Sequence, residues 1–278
     1  MNDAGGRAAA QQLAQAINEV LAAGETACLV TLVEPPPHLA GAGAKLLVRA
    51  PGGGGRAGTL GDEAFDAAAT ARAAAFLASR HEAAAFRAEE FAPGLEAWRG
   101  ARVLFERVEP EPHVVVCGAG HVGASLARLA RTVGYRVTPI DDRADFVTRE
   151  RFPEEGIALV AAAEGWARAV GEAVGTGRGV AVAVVTRGHN EDEECMRAVL
   201  RARPDYVGMI GSRRRTNIVL GRLRELGFAE EELSEVRAPV GLDIGAVAPE
   251  EVALSILAEI VAVRRGGTCA PLSAWRRA

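Results

Sequence analysis

Lysine is almost missing from this chain. Of its 278 residues only Lys45 is a lysine, and every other basic side chain is an arginine. Codon preference accounts for the bias, but two chemistries fall with it. A phosphate loop of the Walker type needs a lysine followed by a hydroxyl residue, and Schiff-base catalysis needs a lysine amine. The surroundings of Lys45, GAGAKLLVRA, offer neither the hydroxyl nor the glycine spacing. Cysteine is scarce too. Cys28, Cys117, Cys195 and Cys269 are far apart and form no CxxC pair. That spacing suggests no zinc site, no metal ligand set and no disulfide framework, and the cytoplasm is the expected compartment. Apolar runs are too short and too interrupted to span a bilayer. The opening MNDAGGRAAAQQLAQAINEV has no cationic start followed by an apolar stretch, so no secretory signal is visible. A basic excess is also lacking. The net charge is −4, which argues against a general nucleic-acid binder.

What is present is an ordinary globular balance, 49% hydrophobic and 24% charged. Apolar residues at helical spacing over 8–23 end at Gly24. Strands are expected over 25–34, 44–50 and 101–109, with a turn at PGGGGR (51–56) and an alanine-rich helix after Asp62, its N-cap. The stiff, polar PEP at 110–112 marks a boundary between a domain over 1–110 and another over 111–278. From there the pattern changes. HVVVC, YRVTPI, IALVA, VAVAVVT and DYVGMI are short, β-branched and apolar on both faces, and helical segments separate most of them. The fold class is therefore α/β: a C-terminal Rossmann-like parallel sheet with a smaller N-terminal α/β domain. Pro139 is awkward inside its strand, which is expected to bend or end there. Trp275 in the extended tail is a candidate packing residue.

The segment VVVCGAGHVGASLARLA (114–130) reads as a strand, a glycine turn and a helix. Gly118, Gly120 and Gly123 form GxGxxG: the first for a tight turn, the second for close approach of a phosphate, the third for helix–strand packing. Ala119, His121 and Val122 complete the candidate site. The first amides of the helix lack internal partners and carry the positive end of its dipole, so a phosphate satisfies both. The ordinary alternative is a turn that only lets helix and strand pack. Asp141 and Asp142, at the end of the second strand, can accept hydrogen bonds from ribose hydroxyls, and Arg143 follows them. In VVTRGHNEDEE, Thr186, Arg187, His189 and Asp192 lie past a strand's carboxyl end, where open α/β sheets bind ligands. The acids there also suit a helix start. A strand ends at Gly211, itself a candidate site residue, and Ser212 begins another helix; Ser212, Arg213 and Arg214 at its start make a second anion site, or else a capped helix with a solvated arginine face. Asp243 is the acid of a further loop, facing the site or forming a turn. Cys117 is expected to lie buried under the glycine turn, not to act as a nucleophile.

These segments, with IDDR, YVGMIGSRRR and PVGLDIGAVAPEEVALSILAEI, occur in this order in the XdhC/CoxI family, which the chain resembles over most of 113–264. TLVEPPPHLAGAGAKLLVR and GTLGDEAFDAAA resemble that family's small domain more loosely. The resemblance implies an accessory protein that binds the molybdenum cofactor, as molybdopterin or its dinucleotide form, and protects and delivers it. It implies as partners an apo molybdenum hydroxylase of the xanthine dehydrogenase type and a cysteine desulfurase, with a homodimer as the assembly. One departure stands out. Many members carry Gly-Gly-Cys-Val-Glu in the small domain, where this chain has Gly61-Asp62-Glu63-Ala64-Phe65-Asp66. Metal ligation by that domain is therefore in doubt. Two other readings stay open, an NAD(P)-dependent oxidoreductase and a nucleotide-sensing regulator. The first lacks an evident catalytic group: there is no Tyr-xxx-Lys pair, and only His121 and His189 fall near the site.

Overall fold

The computed structural model describes residues 4–50, 55–79 and 81–273. Trp275 lies outside them, as do the side chains of His189 and Asn190. The chain divides into two compact units, Met1–Pro110 and Glu111–Ala278.

In the first unit, α1 (Ala4–Ala22) leads into β1 (Ala27–Glu34), β2 (Lys45–Arg49) and β3 (Arg56–Thr59). Then come α2 (Glu63–Leu77), β4 (Ala83–Arg87) and β5 (Arg102–Val108). The strands form an antiparallel sheet in the order β3-β2-β1-β5-β4. Alternation along β1 assigns its faces. Cys28, Val30 and Leu32 meet Phe65, Ala69, Ala73 and Phe76 of α2. On the other face Ala27 and Leu47 meet Val20 of α1. Two strands go beyond the sequence expectation. β3 begins at the end of the expected turn, and β4 is alanine-rich and so carries little strand signal. The Asp62 carboxylate caps α2 by accepting from Phe65 N at 2.8 Å. Buried Asp66 accepts from Thr59 Oγ1 and Leu60 N, both at 2.7 Å. Burial pushes the Cys28 thiol up to about 12.

The second unit alternates strand and helix. β6 (His113–Cys117), α3 (His121–Thr132), β7 (Arg136–Asp141) and β8 (Val160–Ala161) come first. They are followed by α4 (Trp166–Val174), β9 (Val180–Val184), α5 (His189–Ala202) and β10 (Tyr206–Met209). Three helices close the unit: α6 (Arg213–Glu225), α7 (Glu230–Ser234) and α8 (Pro249–Arg265). The sheet is parallel, in the order β10-β9-β6-β7-β8. Counted from β6, that is the doubly wound order 3-2-1-4-5, whose direction of winding reverses between β6 and β9. Val114 and Val116 face α3 and α8. Val115 and Cys117 face α4, α5 and α6.

β7 continues through Pro139, which pairs with Val116, so the strand does not end there. The carbonyls of Val137 and Asp141 point toward β8, accepting from Ala158 and Ala162 at 2.9 Å each. By alternation the missing N–H of Pro139 faces the same side. The ladder there is open, between the Val137–Ile157 bridge and the Ile140–Val160 pair, so no donor is lost.

Candidate functional site

The three glycines of the turn have three different reasons. Gly118 has φ +106°, and a Cβ there would sit 2.6 Å from the Val185 carbonyl oxygen. A Cβ on Gly123 would collide with the Gly118 carbonyl. Both positions are glycine because the fold leaves no room. Gly120 differs: its φ is −66°, and a Cβ there would meet nothing within 4 Å. It is the N-cap of α3 and offers no side chain to the first amides of that helix, those of His121, Val122 and Gly123. His121 is exposed and Val122 half-buried.

Ala119, between the first two glycines, is held at both ends. Its N–H donates to Asp141 Oδ2 at 2.7 Å, and its carbonyl accepts from Arg151 Nη2 at 3.1 Å. The Arg151 guanidinium lies 4.6 Å from the centre of the Phe146 ring, and that of Arg143 lies 3.4 Å from it. The turn is thus fixed before any ligand arrives.

Asp141 is buried and turned inward. Oδ2 accepts from Ala119 N and Arg143 Nη2 (3.1 Å); Oδ1 accepts from Arg143 N (3.0 Å) and Arg143 Nε (2.8 Å). These four bonds fill the acceptor sites of a carboxylate. Burial alone would raise its pKa, but the hydrogen bonds from Arg143 and Ala119 outweigh that and hold the carboxyl below its ordinary range. Asp141 therefore has no lone pair left for a ribose hydroxyl. Asp142 points outward, and Arg187 donates to it through Nη1 at 3.2 Å and Nη2 at 3.1 Å. Gly118, Gly120, Asp142, Thr186, Arg187 and Glu191 line one crevice, together with Trp166. It sits past the carboxyl ends of β6 and β9, at the reversal of strand order, where such sheets bind ligands.

The third group of expected residues is used differently. Thr186 is buried, and its hydroxyl donates to Asp192, which is fully buried. Arg215 also donates to Asp192 and, through Nη2, to the Thr186 carbonyl at 3.2 Å. Ser212 caps α6, accepting from Arg215 N at 3.2 Å. Gly211, Ser212 and Arg213 follow β10, one strand beyond the crevice, and Arg213 is exposed. The arginine in this helix start that answers to an anion is Arg215, and its anion is Asp192. His189 opens α5, and its side chain is outside the described residues. Asp243 is exposed. Cys117 is buried as expected; burial, then the neighbouring Cys117, push the Cys195 thiol well up, so Cys195 is not poised to react. Among the described residues no three His, Cys, Asp or Glu side chains gather as a metal-binding group. None of the described helices is long and apolar enough to cross a membrane.

Arg151, Trp166 and Arg215 join the site without being singled out in the sequence, and Glu191, read from the sequence as an acid suited to the start of a helix, lines the crevice. Arg215 alone leaves a trace, as the third arginine of SRRR; Arg151 reaches Ala119 from 32 residues away and has no local signature.

Comparison with known proteins follows the same geometry. A probable xanthine dehydrogenase subunit of Bacillus subtilis (strain 168) is 31% identical over 163 residues, 59% of this chain and 46% of that protein. The uncharacterized protein YqeB of Escherichia coli (strain K12) is 35% identical over 166 residues, 59% of this chain and 30% of that one. The molybdenum cofactor insertion chaperone PaoD of Escherichia coli (strain K12) is 38% identical over 84 residues, 30% of this chain and 26% of PaoD. The chain spans less than half the length of each of these relatives. A crystal structure described as a xanthine dehydrogenase from Bacillus halodurans shares the fold, with a TM-score of 0.60 at 19% identity, over 90% of this chain and 66% of that one. The profile of the XdhC Rossmann domain matches residues 114–260, from β6 into α8 and more than half of the chain, and the chain belongs to that family.

Proposed function

We propose that this chain is an accessory protein of molybdenum-enzyme maturation, which holds the molybdenum cofactor and delivers it to an apoenzyme of the xanthine dehydrogenase type. The observation that carries the reading is Gly120. Its neighbours Gly118 and Gly123 are glycine for the fold, whereas a Cβ on Gly120 would meet nothing within 4 Å. The space is kept in front of the unpartnered amides of α3, where an anionic group binds best. Molybdopterin carries a phosphate and its dinucleotide form a diphosphate, so either presents the right charge. The names of two relatives, a molybdenum cofactor insertion chaperone and a probable xanthine dehydrogenase component, support this cargo over other phosphates. The rigid backing of Ala119 by Asp141 and Arg151 suits binding without turnover. The partners proposed with it are the apo molybdenum hydroxylase, a cysteine desulfurase that sulfurates the held cofactor, and a second copy of the chain. The cytoplasm is the proposed compartment.

The test is to purify the protein from a host that makes the cofactor, release bound material with acid, and measure pterin fluorescence and molybdenum by mass spectrometry. Near-stoichiometric pterin with molybdenum is expected. A second reading, an NAD(P)-dependent oxidoreductase or nucleotide sensor, draws on the outward carboxylate of Asp142 beside the same turn. Retained NAD(H) with no pterin would move the assignment there.

A further inference from the structure

An ion pair stands among the walls of the crevice. Asp142 follows β7 and Arg187 follows β9, while the glycine turn follows β6, the strand between them. The Asp142–Arg187 pair therefore joins the loops after the two strands that flank β6. The crevice that the pair lines has a volume of about 50 Å³. That holds a few waters, against roughly 300–1,000 Å³ for ordinary ligand sites. A nucleotide-sized ligand seated between the glycine turn and these two side chains displaces the pair.

Both partners are built to part. The Asp142 side chain is 33% exposed and that of Arg187 47%, so the pair is solvated and contributes little stability. Each has a second opposite charge on its own side of the crevice. Glu191 lies 3.6 Å from Arg187, and Arg143 Nε lies 3.8 Å from Asp142. Asp141, by contrast, is saturated and fixed.

We propose that Asp142 and Arg187 form an exchangeable latch that selects a ligand carrying a diphosphate next to a vicinal diol, as in a nucleoside diphosphate. This rests on the reading that the glycine turn takes a phosphate. The incoming phosphate replaces the Asp142 carboxylate as the partner of Arg187. Asp142, released, accepts from the two ribose hydroxyls. A diphosphate alone leaves Asp142 without a donor; a nucleoside alone leaves Arg187 paired and the latch closed. Only a ligand with both features compensates both halves. Within the proposed function this favours the dinucleotide form of the cofactor over the bare pterin phosphate.

The test is titration calorimetry on the full chain with inorganic pyrophosphate, with ADP, GDP and CDP, and with the 2′-deoxy counterpart of each. In the wild-type protein at least one ribonucleotide is expected to bind about tenfold more tightly than pyrophosphate and than its own deoxy form, one charge-assisted hydrogen bond being the difference. In Asp142→Asn the latch is broken from one side: pyrophosphate is expected to bind several-fold more tightly, and the ribo/deoxy difference is expected to vanish. Arg187→Gln is expected to weaken every diphosphate while leaving the melting temperature in place. Unchanged pyrophosphate affinity in Asp142→Asn, or a ribo/deoxy difference that survives it, overturns the latch while the phosphate site stands. Failure of the wild-type protein to bind pyrophosphate or any nucleotide removes both the latch and the phosphate site beneath it.

Discussion

Arg215 holds the fully buried carboxylate of Asp192 through two nitrogens, Nε at 2.6 Å and Nη2 at 2.5 Å. Thr186 donates to the other oxygen of the same carboxylate. The contact fastens the loop after β9 to the starts of α5 and α6. Removing one member strands the other charge in the interior, which costs about 3–5 kcal/mol for a buried pair. Arg215→Gln is expected to lower unfolding stability by about 3 kcal/mol, toward the low end because Arg215 reaches solvent. Asp192→Leu with Arg215→Leu should destabilise by clearly less than the sum of the single changes. Urea unfolding of the four proteins measures this coupling, and additivity would contradict it.

The glycine turn predicts a separation of folding from binding. Gly118→Ala and Gly123→Ala place a Cβ against backbone and should each destabilise by about 1–3 kcal/mol or more. A Cβ on Gly120 meets nothing within 4 Å and the φ of −66° suits any residue, so Gly120→Val should cost far less stability than either of the other two. Pyrophosphate binding should be lost in Gly120→Val because the side chain fills the approach to α3. Thermal scans paired with calorimetry decide it. Normal binding by the valine variant would mean that the space in front of Gly120 is not where the ligand goes.

Arg213 illustrates a reading that the structure redirects. A helix start reading Ser-Arg-Arg suggests an anion contact worth roughly 1.5–3 kcal/mol. Arg213 is instead exposed, one strand beyond the crevice, while Arg215 turns inward to Asp192. Arg213→Ala should therefore change pyrophosphate affinity and stability by no more than about 0.5 kcal/mol. A tenfold loss of affinity would restore Arg213 to the site.

What the sequence discloses, and what it hides, follows from the range of the forces involved. β6, β7, β9 and β10 are legible because a buried parallel strand is apolar on both faces. The roles of Gly118 and Gly123 are legible because a strand, a tight turn and a helix lie within eleven residues of chain. β8 shrinks to Val160–Ala161 from the run IALVA because pairing depends on β7, not on its own composition. β4 stays hidden because its alanines carry no strand signal, and it forms by pairing with β5. The two aspartates of IDDR look equivalent in sequence. Only the fold separates them, turning Asp141 in beneath Ala119 and Asp142 out toward Arg187.

The lower end of the sheet supplies a pH dependence that leaves the crevice alone. His113, at the start of β6, is buried between Thr138 and Arg136. Arg136 Nη2 donates to Nδ1 at 3.0 Å, so Nε2 carries the proton and donates to Thr138 Oγ1 at 2.9 Å. Burial, then the Arg136 charge, push the imidazole down from 6.5 to about 4. The folded protein keeps His113 neutral where the unfolded chain would protonate it. Between pH 6.5 and 4 the unfolded state binds the extra proton, so stability falls as pH falls through that window. The loss should approach about 3 kcal/mol at its acid end. His113→Gln removes the titration, so the wild-type stability advantage measured by urea unfolding should shrink by that amount from pH 7 to pH 4. Pyrophosphate affinity should show no such difference between the two proteins, because His113 lies at the opposite end of β6 from the glycine turn. A stability difference that stays constant with pH would mean that His113 takes up its proton as readily in the folded protein as in the unfolded chain.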